Sequence, residues 1–518
     1  MAVGTYHDPA DGVRMEFPVG GQGAGPLERY LAAGKKLPIV LLTCNREALL
    51  QETIESLRAV RGMDMSNVMV IQDGSDAPVA ELVRKQGLYL KQNTKTPGLR
   101  GGGRAGDGAA RIATHYKFAL NHVFEKAPQA PVIIVEDDLL FSPDFLEYLE
   151  ANAPILERDP TTLVLSAWND NGFRERVWDK TELQRTLFFP GLGWLLTRKL
   201  YEEIVPRWPA QHWDHWLRDE KQHKGRECVF PEVPRTYHNG IKGTFMDENM
   251  HDKLFKNINY NTDPSFRWPL PTDRPSTDPP PYAKAIKVNY DRRAEARIAG
   301  AQHVNTLDDL AAAADQQKDV VLWYSIENTE EQQAARGPRS GPPFKSLSDF
   351  FGIWHEYKRG LHEGMHTFRY YGHPRIMLIN AAKSPYARLK PAELISATMG
   401  TLHGSLRGAE SGAQGLKLQV VAGERSSVSC DDICSAKGMT CKESSFELIN
   451  SCKLLVDNFP CDTCAESFGP DQPSYVERDA PAINYPGQCL VTTKPAESRC
   501  SASHEMTRRL CPCNSGNR

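Results

Sequence analysis

Pro131-Val132-Ile133-Ile134-Val135-Glu136-Asp137-Asp138 sets an apolar, β-branched run directly before three carboxylates. A run of this length, cut off by acids, reads as a strand buried on both faces. Two earlier stretches repeat the pattern. Pro38-Ile39-Val40-Leu41-Leu42 runs into Thr43-Cys44-Asn45-Arg46, and Val68-Met69-Val70-Ile71 runs into Gln72-Asp73-Gly74-Ser75. Helical spacing fills the intervals at Glu47 to Val60, Ala77 to Gln86 and Arg111 to Lys126, and Leu88-Tyr89-Leu90 reads as a further short strand. Strands alternating with helices imply an α/β fold with a mainly parallel sheet and right-handed crossovers. Ligands of such sheets bind beyond the carboxyl ends of the strands. Polar clusters on three successive strand ends therefore mark a candidate site.

Adjacent carboxylates at Glu136-Asp137-Asp138 repel one another unless a cation compensates them. A divalent metal with hard oxygen ligands, Mn²⁺ or Mg²⁺, meets that need, and a nucleotide diphosphate supplies the remaining oxygens. The bland alternative is a solvated acidic turn. Trp213-Asp214-His215-Trp216 places one carboxylate among indoles. Partial burial there would sharpen Asp214 as a base; a structural carboxylate is the competing reading. Taken alone, His115 reads as a packing or surface histidine, and Cys44 and Cys228 as buried small hydrophobes. The formal G-x-G-x-x-G of Gly101 to Gly106 follows no strong strand, so residues 98 to 108 are expected to form a flexible loop, not a dinucleotide fingerprint. No nucleophile elbow supports hydrolase chemistry.

At 518 residues the chain exceeds one ordinary domain, and 40% hydrophobic with 25% charged residues suits real cores. A formal net charge of -3 gives no basic surplus for a nucleic-acid partner. Residues 1–36 are polar and Gly-rich and are expected to be a flexible segment without a signal peptide. No apolar run of about 18 residues occurs, so membrane attachment is expected only through an anchor absent from this sequence. Trp268 to Tyr282 carries six prolines, which predicts a linker over 268–284 without regular structure. Ten of the twelve cysteines fall between Cys430 and Cys513. The even count and lack of repeated zinc-spaced pairs point to a disulfide module in an oxidising compartment, although Cys461-x-x-Cys464 and Cys511-x-Cys513 keep a zinc-bound or reduced tail open.

Ile134-Val135-Glu136-Asp137-Asp138-Leu139, Ser142-Pro143-Asp144-Phe145, the stretch Leu165 to Gly172, the stretch Phe188 to Trp194, Trp213-Asp214-His215-Trp216, Gly225-Arg226 and the stretch Pro231 to Thr236 occur in this order. Together they resemble glycosyltransferase family 13, over about residues 36 to 390. The resemblance implies a GT-A fold (Rossmann-like) over 37–267 and a small α+β domain over 285–395; outside it, the cysteine spacing predicts a linker over 396–424 and the cysteine-rich module over 425–518. The resemblance implies an inverting enzyme that moves N-acetylglucosamine from UDP-GlcNAc to the 2-hydroxyl of a mannose on a glycoprotein glycan, with Mn²⁺ as cofactor. It also implies residence in the Golgi lumen behind a type II anchor. Position by position, Asp138 corresponds to the metal ligand and Asp214 to the catalytic base. Arg46, Asp73, His115, Glu136, Asp137, Asp138, Gly243 and Thr244 correspond to donor-binding positions. Phe245 departs from the family's small polar residue in the loop that orders over donor. Cys44 and Cys228 match half-cystines whose partners align with Gly74 and Val164, so both are expected to be unpaired. The stretch from Phe344 to Tyr386 fits the protein O-mannose branch about as well as the N-glycan branch, and a silent glycan-binding protein on the same fold is a further alternative. The tail resembles the cysteine-rich C-terminal module of N-acetylglucosaminyltransferase V.

Overall fold

A computed structural model describes residues 3–8, 11–18, 25–94, 105–128, 130–270, 278–304, 313, 318–326, 344–370, 373–394, 396–398, 418–492 and 497–514. The chain divides into two compact units. The first comprises Met1–Ala301, Ile326–Arg369 and Met377–Lys390, and the second comprises Gln302–Ser325, Tyr370–Ile376 and Pro391–Arg518. The segment 285–395, expected as a domain of its own, is thus shared between the two.

The first unit opens with a hairpin of β1 (Val3–Asp8) and β2 (Val13–Pro18), followed by α1 (Pro26–Ala32). The expected alternation then runs through β3 (Ile39–Thr43), α2 (Glu47–Arg58), β4 (Val68–Asp73), α3 (Ala77–Lys85), β5 (Tyr89–Asn93), α4 (Ala105–Lys126) and β6 (Val132–Glu136). Strand residues alternate between two cores, as a pleat buried on both faces requires. Ile39 and Leu41 join Leu50, Ile54 and Leu57 of α2, whereas Val40 and Leu42 join Tyr116, Leu120 and Phe124 of α4. Each such buried side chain contributes about 1.5–3 kcal/mol.

Six further strands follow: β7 (Leu139–Phe141), β8 (Thr162–Ser166), β9 (Leu183–Thr186), β10 (Trp194–Leu196), β11 (Glu227–Pro231) and β12 (Thr236–His238). The main sheet has the order β5-β4-β3-β6-β10-β8-β11-β9, and β12 pairs with β7 in a separate ribbon. The sheet is mixed, with four parallel and three antiparallel pairings. β5, β4, β3 and β6 run parallel, as do β8 and β11, but β10 is antiparallel to both neighbours and β9 to β11. Gly191 and Gly193 (φ 69° and 93°) turn the chain back into β10 without a helical crossover.

Two segments expected to lack structure are held by buried ion pairs. The N-terminal hairpin buries Met15 and Phe17, and the turn after β1 sets Asp11 against two arginines of the helix Lys287–Gly300. Arg293 reaches Asp11 at 2.6 Å and Glu182 at 2.8 Å, and Arg297 reaches Glu182 at 2.9 Å. Within the proline-rich stretch, Pro281–Ala285 is a 3₁₀ helix, and residues 271–277 lie outside the described residues. Trp268 is buried, its indole N–H donating to Asp144 Oδ2 at 2.9 Å. Asp144 also accepts from Arg235 at 2.7 Å and from Asn261 at 2.7 Å. Of the loop expected over residues 98 to 108, positions 98–104 lie outside the described residues and 105–108 belong to α4.

In the second unit, Gln302–Val304 runs parallel to Val320–Ser325, which pairs in parallel with Ala397–Thr398. Leu418–Ala422 pairs antiparallel with Thr507–Asn514, and Ser474–Val476 joins that strand to Gln488–Thr492. The ten clustered cysteines form five disulfides: Cys430–Cys511, Cys434–Cys513, Cys441–Cys500, Cys452–Cys464 and Cys461–Cys489. This pairing rules out the zinc-bound tail. Cys44 and Cys228 are free, as the resemblance implied.

Asp144→Ala strands a fully buried Arg235 and is expected to cost about 3–5 kcal/mol, read as a lower urea midpoint; a loss under about 1 kcal/mol would show that Arg235 finds its charge partner elsewhere. A second expectation concerns pH. His362 contacts Glu227 at 2.6 Å and Asp291 at 2.9 Å in the buried interior. Burial opposes its charge, but the two carboxylates outweigh it and raise its pKa above the ordinary value. A raised histidine stabilises fully below its ordinary pKa and loses that contribution as pH rises through the folded value. Melting temperature should therefore fall as pH rises above the ordinary histidine value of 6.5, and His362→Gln should flatten that slope.

Candidate active site

The chain lays down β3, β4 and β5 outward and then returns to place β6 on the other side of β3. This reversal opens a crevice at the carboxyl ends of β3 and β6. Leu42 is in register with Glu136, so the loop carrying Arg46 faces the acidic triplet. Asp137 and Asp138 are buried and Glu136 partly so.

Asp137 and Asp138 share one guanidinium, whereas Glu136 is held by a tyrosine hydroxyl. Arg46 contacts Asp137 with one guanidinium nitrogen and Asp138 Oδ2 with the other at 2.8 Å. Thr43 Oγ1 donates to Asp137 Oδ2 at 2.7 Å, and Tyr116 OH donates to Glu136 Oε1 at 2.5 Å. One guanidinium does not neutralise three carboxylates. Burial first, and then the charge of Asp138, push Glu136 up to about 7. Burial also raises Asp137, against the pull of Arg46.

The residues fit a divalent cation. Asp138 Oδ1 is buried with no hydrogen-bond partner. A Cβ added at Gly240 would stand 2.8 Å from Asp138 Oδ2 and 3.1 Å from His238 Cε1, so glycine keeps this space open. The donors are hard oxygens in surplus negative charge, the set that Mg²⁺ and Mn²⁺ take.

Farther along the same edge, Asp73 ends β4 and accepts from Arg111 at 3.2 Å. His115, one turn later on α4, is buried and donates from Nε2 to the Ile71 carbonyl at 3.1 Å. A carbonyl only accepts, so Nε2 holds the proton and Nδ1 is left as a buried acceptor without a partner. Burial lowers the His115 pKa despite Asp73, which keeps the ring neutral near pH 7.

Asp214 lies on the short helix Trp213–Leu217, entered through His212 in a left-handed conformation (φ 50°). Trp213 anchors this helix, with its ring 4.2 Å from Tyr116, 5.5 Å from Trp208 and 5.6 Å from Phe189. Asp214 is partly buried, with Trp213 on the inner side of the helix and Trp216 half-buried beside it. The Asp214 side chain is 35% exposed and pairs with Arg218 Nη1 at 2.9 Å, because Trp213 turns inward to the aromatic cluster. Arg218 stacks over Phe188 at 4.2 Å, and Arg359, 2.8 Å from Asp170, lies 4.4 Å from the same ring.

Tyr116 joins the two halves, with its hydroxyl on Glu136 and its ring on Trp213. Sequence reasoning missed it; its one signal was a place on the buried face of α4 beside His115. Arg218 and Arg359 were also missed, since surface-type residues on separate segments form no motif.

The stretch after β12 lies over the triplet. Asn239 N donates to the Asp138 carbonyl at 2.7 Å, and a Cβ at Gly243 would stand 3.9 Å from Arg46 Nη1. Thr244 packs against Gly108 of α4, where an added Cβ would meet its methyl at 2.5 Å. Phe245 is 56% exposed, its ring 5.9 Å from His212. The structure thus groups Arg46, Glu136, Asp137, Asp138 and Gly243, links Asp214 to them through Tyr116 and Trp213, and sets Asp73 and His115 farther along the edge.

Several known proteins are similar. The alpha-1,3-mannosyl-glycoprotein 2-beta-N-acetylglucosaminyltransferase of Arabidopsis thaliana is 31% identical over 362 residues, covering 67% of this chain and 76% of that protein. Among solved structures, mannosyltransferase PcManGT from Pyrobaculum calidifontis, in complex with GDP-Man and Mn²⁺, matches with TM-score 0.25 and 17% identity over 40% of this chain and 65% of that one. S. aureus TarS 1-349 in complex with UDP-GlcNAc matches with TM-score 0.27 and 14% identity over 40% and 60%. In both cases less than two thirds of the solved chain is covered, and at these scores the likeness carries no argument. A family model described as the GNT-I family matches residues 28–390. With that match and a relative of 31% identity, the chain belongs to the GNT-I family.

Proposed function

We propose that the chain is an inverting, metal-dependent β-1,2-N-acetylglucosaminyltransferase that moves N-acetylglucosamine from UDP-GlcNAc to the 2-hydroxyl of a mannose on a glycoprotein N-glycan. The carrying observation is the triplet with one guanidinium for three carboxylates, an unpartnered Asp138 oxygen, and Asp214 tied to it through Tyr116 and Trp213. Family membership and the name of the Arabidopsis thaliana relative support the reaction and favour an N-glycan over an O-mannosyl acceptor.

Asp138 would hold the cation, here read as Mn²⁺, which supplies charge stabilisation to the diphosphate when bound. Asp73 and His115 Nδ1 present acceptors at the strand ends, which suits the imide N–H of uracil. Arg46 lies where a departing diphosphate collects negative charge. Glu136 and Asp137, together with Gly243 and Thr244 of the overlying stretch, complete the donor side. Asp214 takes the proton of the mannose 2-hydroxyl. That oxygen forms its bond to the anomeric carbon as the bond to the diphosphate breaks, and the electron pair leaves on the phosphate oxygen. Arg218 fixes Asp214 Oδ2 and leaves Oδ1 for the acceptor. One displacement from an α-linked donor gives a β-linked product without an enzyme nucleophile. The fold is read as GT-A. The five disulfides fit an oxidising compartment, read as the Golgi lumen, and no helix among the described residues is long and apolar enough to cross a membrane. The cysteine-rich unit is read as a relative of the N-acetylglucosaminyltransferase V module.

Asp214→Asn should lower kcat by about 10²–10⁴-fold while UDP-GlcNAc binding by calorimetry stays within about twofold; near-normal turnover would remove Asp214 from the base role. Asp138→Asn, or chelation with EDTA, should abolish the Mn²⁺-dependent part of donor affinity. In an acceptor panel, oligomannose N-glycan should be converted in preference to O-mannosyl peptide. The reverse preference would move the chain to the O-mannose reading, and donor binding with no transfer to either would leave a silent binder.

A further inference from the structure

A divalent cation of octahedral habit needs about six ligands, and Asp138 alone gives few of them. A second donor of this chain stands beside it. His238 closes β12, and its register with Leu139 of β7 carries the imidazole back over the triplet. Nε2 lies 3.5 Å from Asp138 Oδ2. The side chain is nine-tenths buried, Nδ1 has no hydrogen-bond partner, and the Phe255 ring at 4.9 Å holds the imidazole in place.

The separation discriminates between two readings. It exceeds the roughly 2.7–3.2 Å of a good N–H···O bond. Donors at right angles around one ion, with bonds of about 2.1 Å, stand about 3.0 Å apart, so a small approach of either side chain brings the pair into one coordination shell. Gly240 keeps the space between them free, because its missing Cβ would fall within 3.1 Å of both side chains.

The geometry points to His238 as a second protein ligand of the cation, through Nε2 beside the Asp138 carboxylate. This rests on the metal-dependent reading above. A mixed imidazole and carboxylate set binds Mg²⁺ poorly relative to transition-metal ions, so the site should select Mn²⁺ over Mg²⁺ before any nucleotide arrives.

The test is pulsed EPR of Mn²⁺ bound to the full chain, with and without UDP, comparing protein grown on ¹⁵N-histidine with unlabelled protein. A nitrogen coupling that changes with the label and vanishes in His238→Gln is expected, with Mn²⁺ affinity about tenfold or more weaker in that variant. If the label leaves the spectrum unchanged while Asp138→Asn still removes the bound Mn²⁺, His238 is not a ligand and only this inference falls. If Mn²⁺ does not bind through Asp138 at all, the metal-dependent reading falls with it. Should His238→Gln fail to fold, the isotope comparison on the unmutated protein decides alone.

Discussion

Three carboxylates in succession at the end of a buried strand form a charge problem, and the first unit is arranged around its partial solution. Burial strengthens their mutual repulsion, because the dielectric that would screen it is lost. The neighbouring strand supplies Thr43 and, one turn on, Arg46; the helix packed on the sheet supplies Tyr116. Each compensation requires β3 next to β6 and α4 over both, so the electrostatics and the strand order are one constraint. The compensation remains incomplete. A fully neutralised cluster would hold no cation, whereas this one retains an unpaired oxygen and surplus negative charge.

Paired buried charge also shapes the rest of the unit. Arg185, Arg235 and Arg293 are among its largest fully buried side chains, and each meets carboxylates from distant segments. Removing one partner of such a pair costs more than the pair contributes in stability. Their effect is therefore specificity of arrangement. Arg293 fixes where the N-terminal hairpin lies, and Asp144 fixes where the chain passes after Asn261.

Local signals carried much of the core and part of the site. The strands of residues 39 to 43, 68 to 73 and 132 to 136 were legible from apolar runs, and the helices between them from spacing. The triplet was legible because three acids after such a run conflict with burial. Partnerships across long separations were not. Asp11 meets Arg297 across 286 residues, so a polar, glycine-rich start read as loose although a helix near residue 290 orders it. Tyr116 and Arg218 carry no motif, since their meaning comes only from the surfaces that folding apposes. The antiparallel course of β10 escaped for a related reason: its three buried residues have no period to read. Asp214 was legible only in part. Flanking tryptophans suggested a partly buried acid, but not the guanidinium of Arg218 that holds one of its oxygens.

The disulfide-rich region has a property that its cysteine count does not convey. Its first and last strands lie side by side, with Leu418 opposite Asn514, and two disulfides from one short helix clamp the final strand. Chain enters and leaves at a single edge. A segment built in this way behaves as a cassette with one port. Recombination could append or excise it at one junction, and a sequence trailing after it would emerge beside the point of entry.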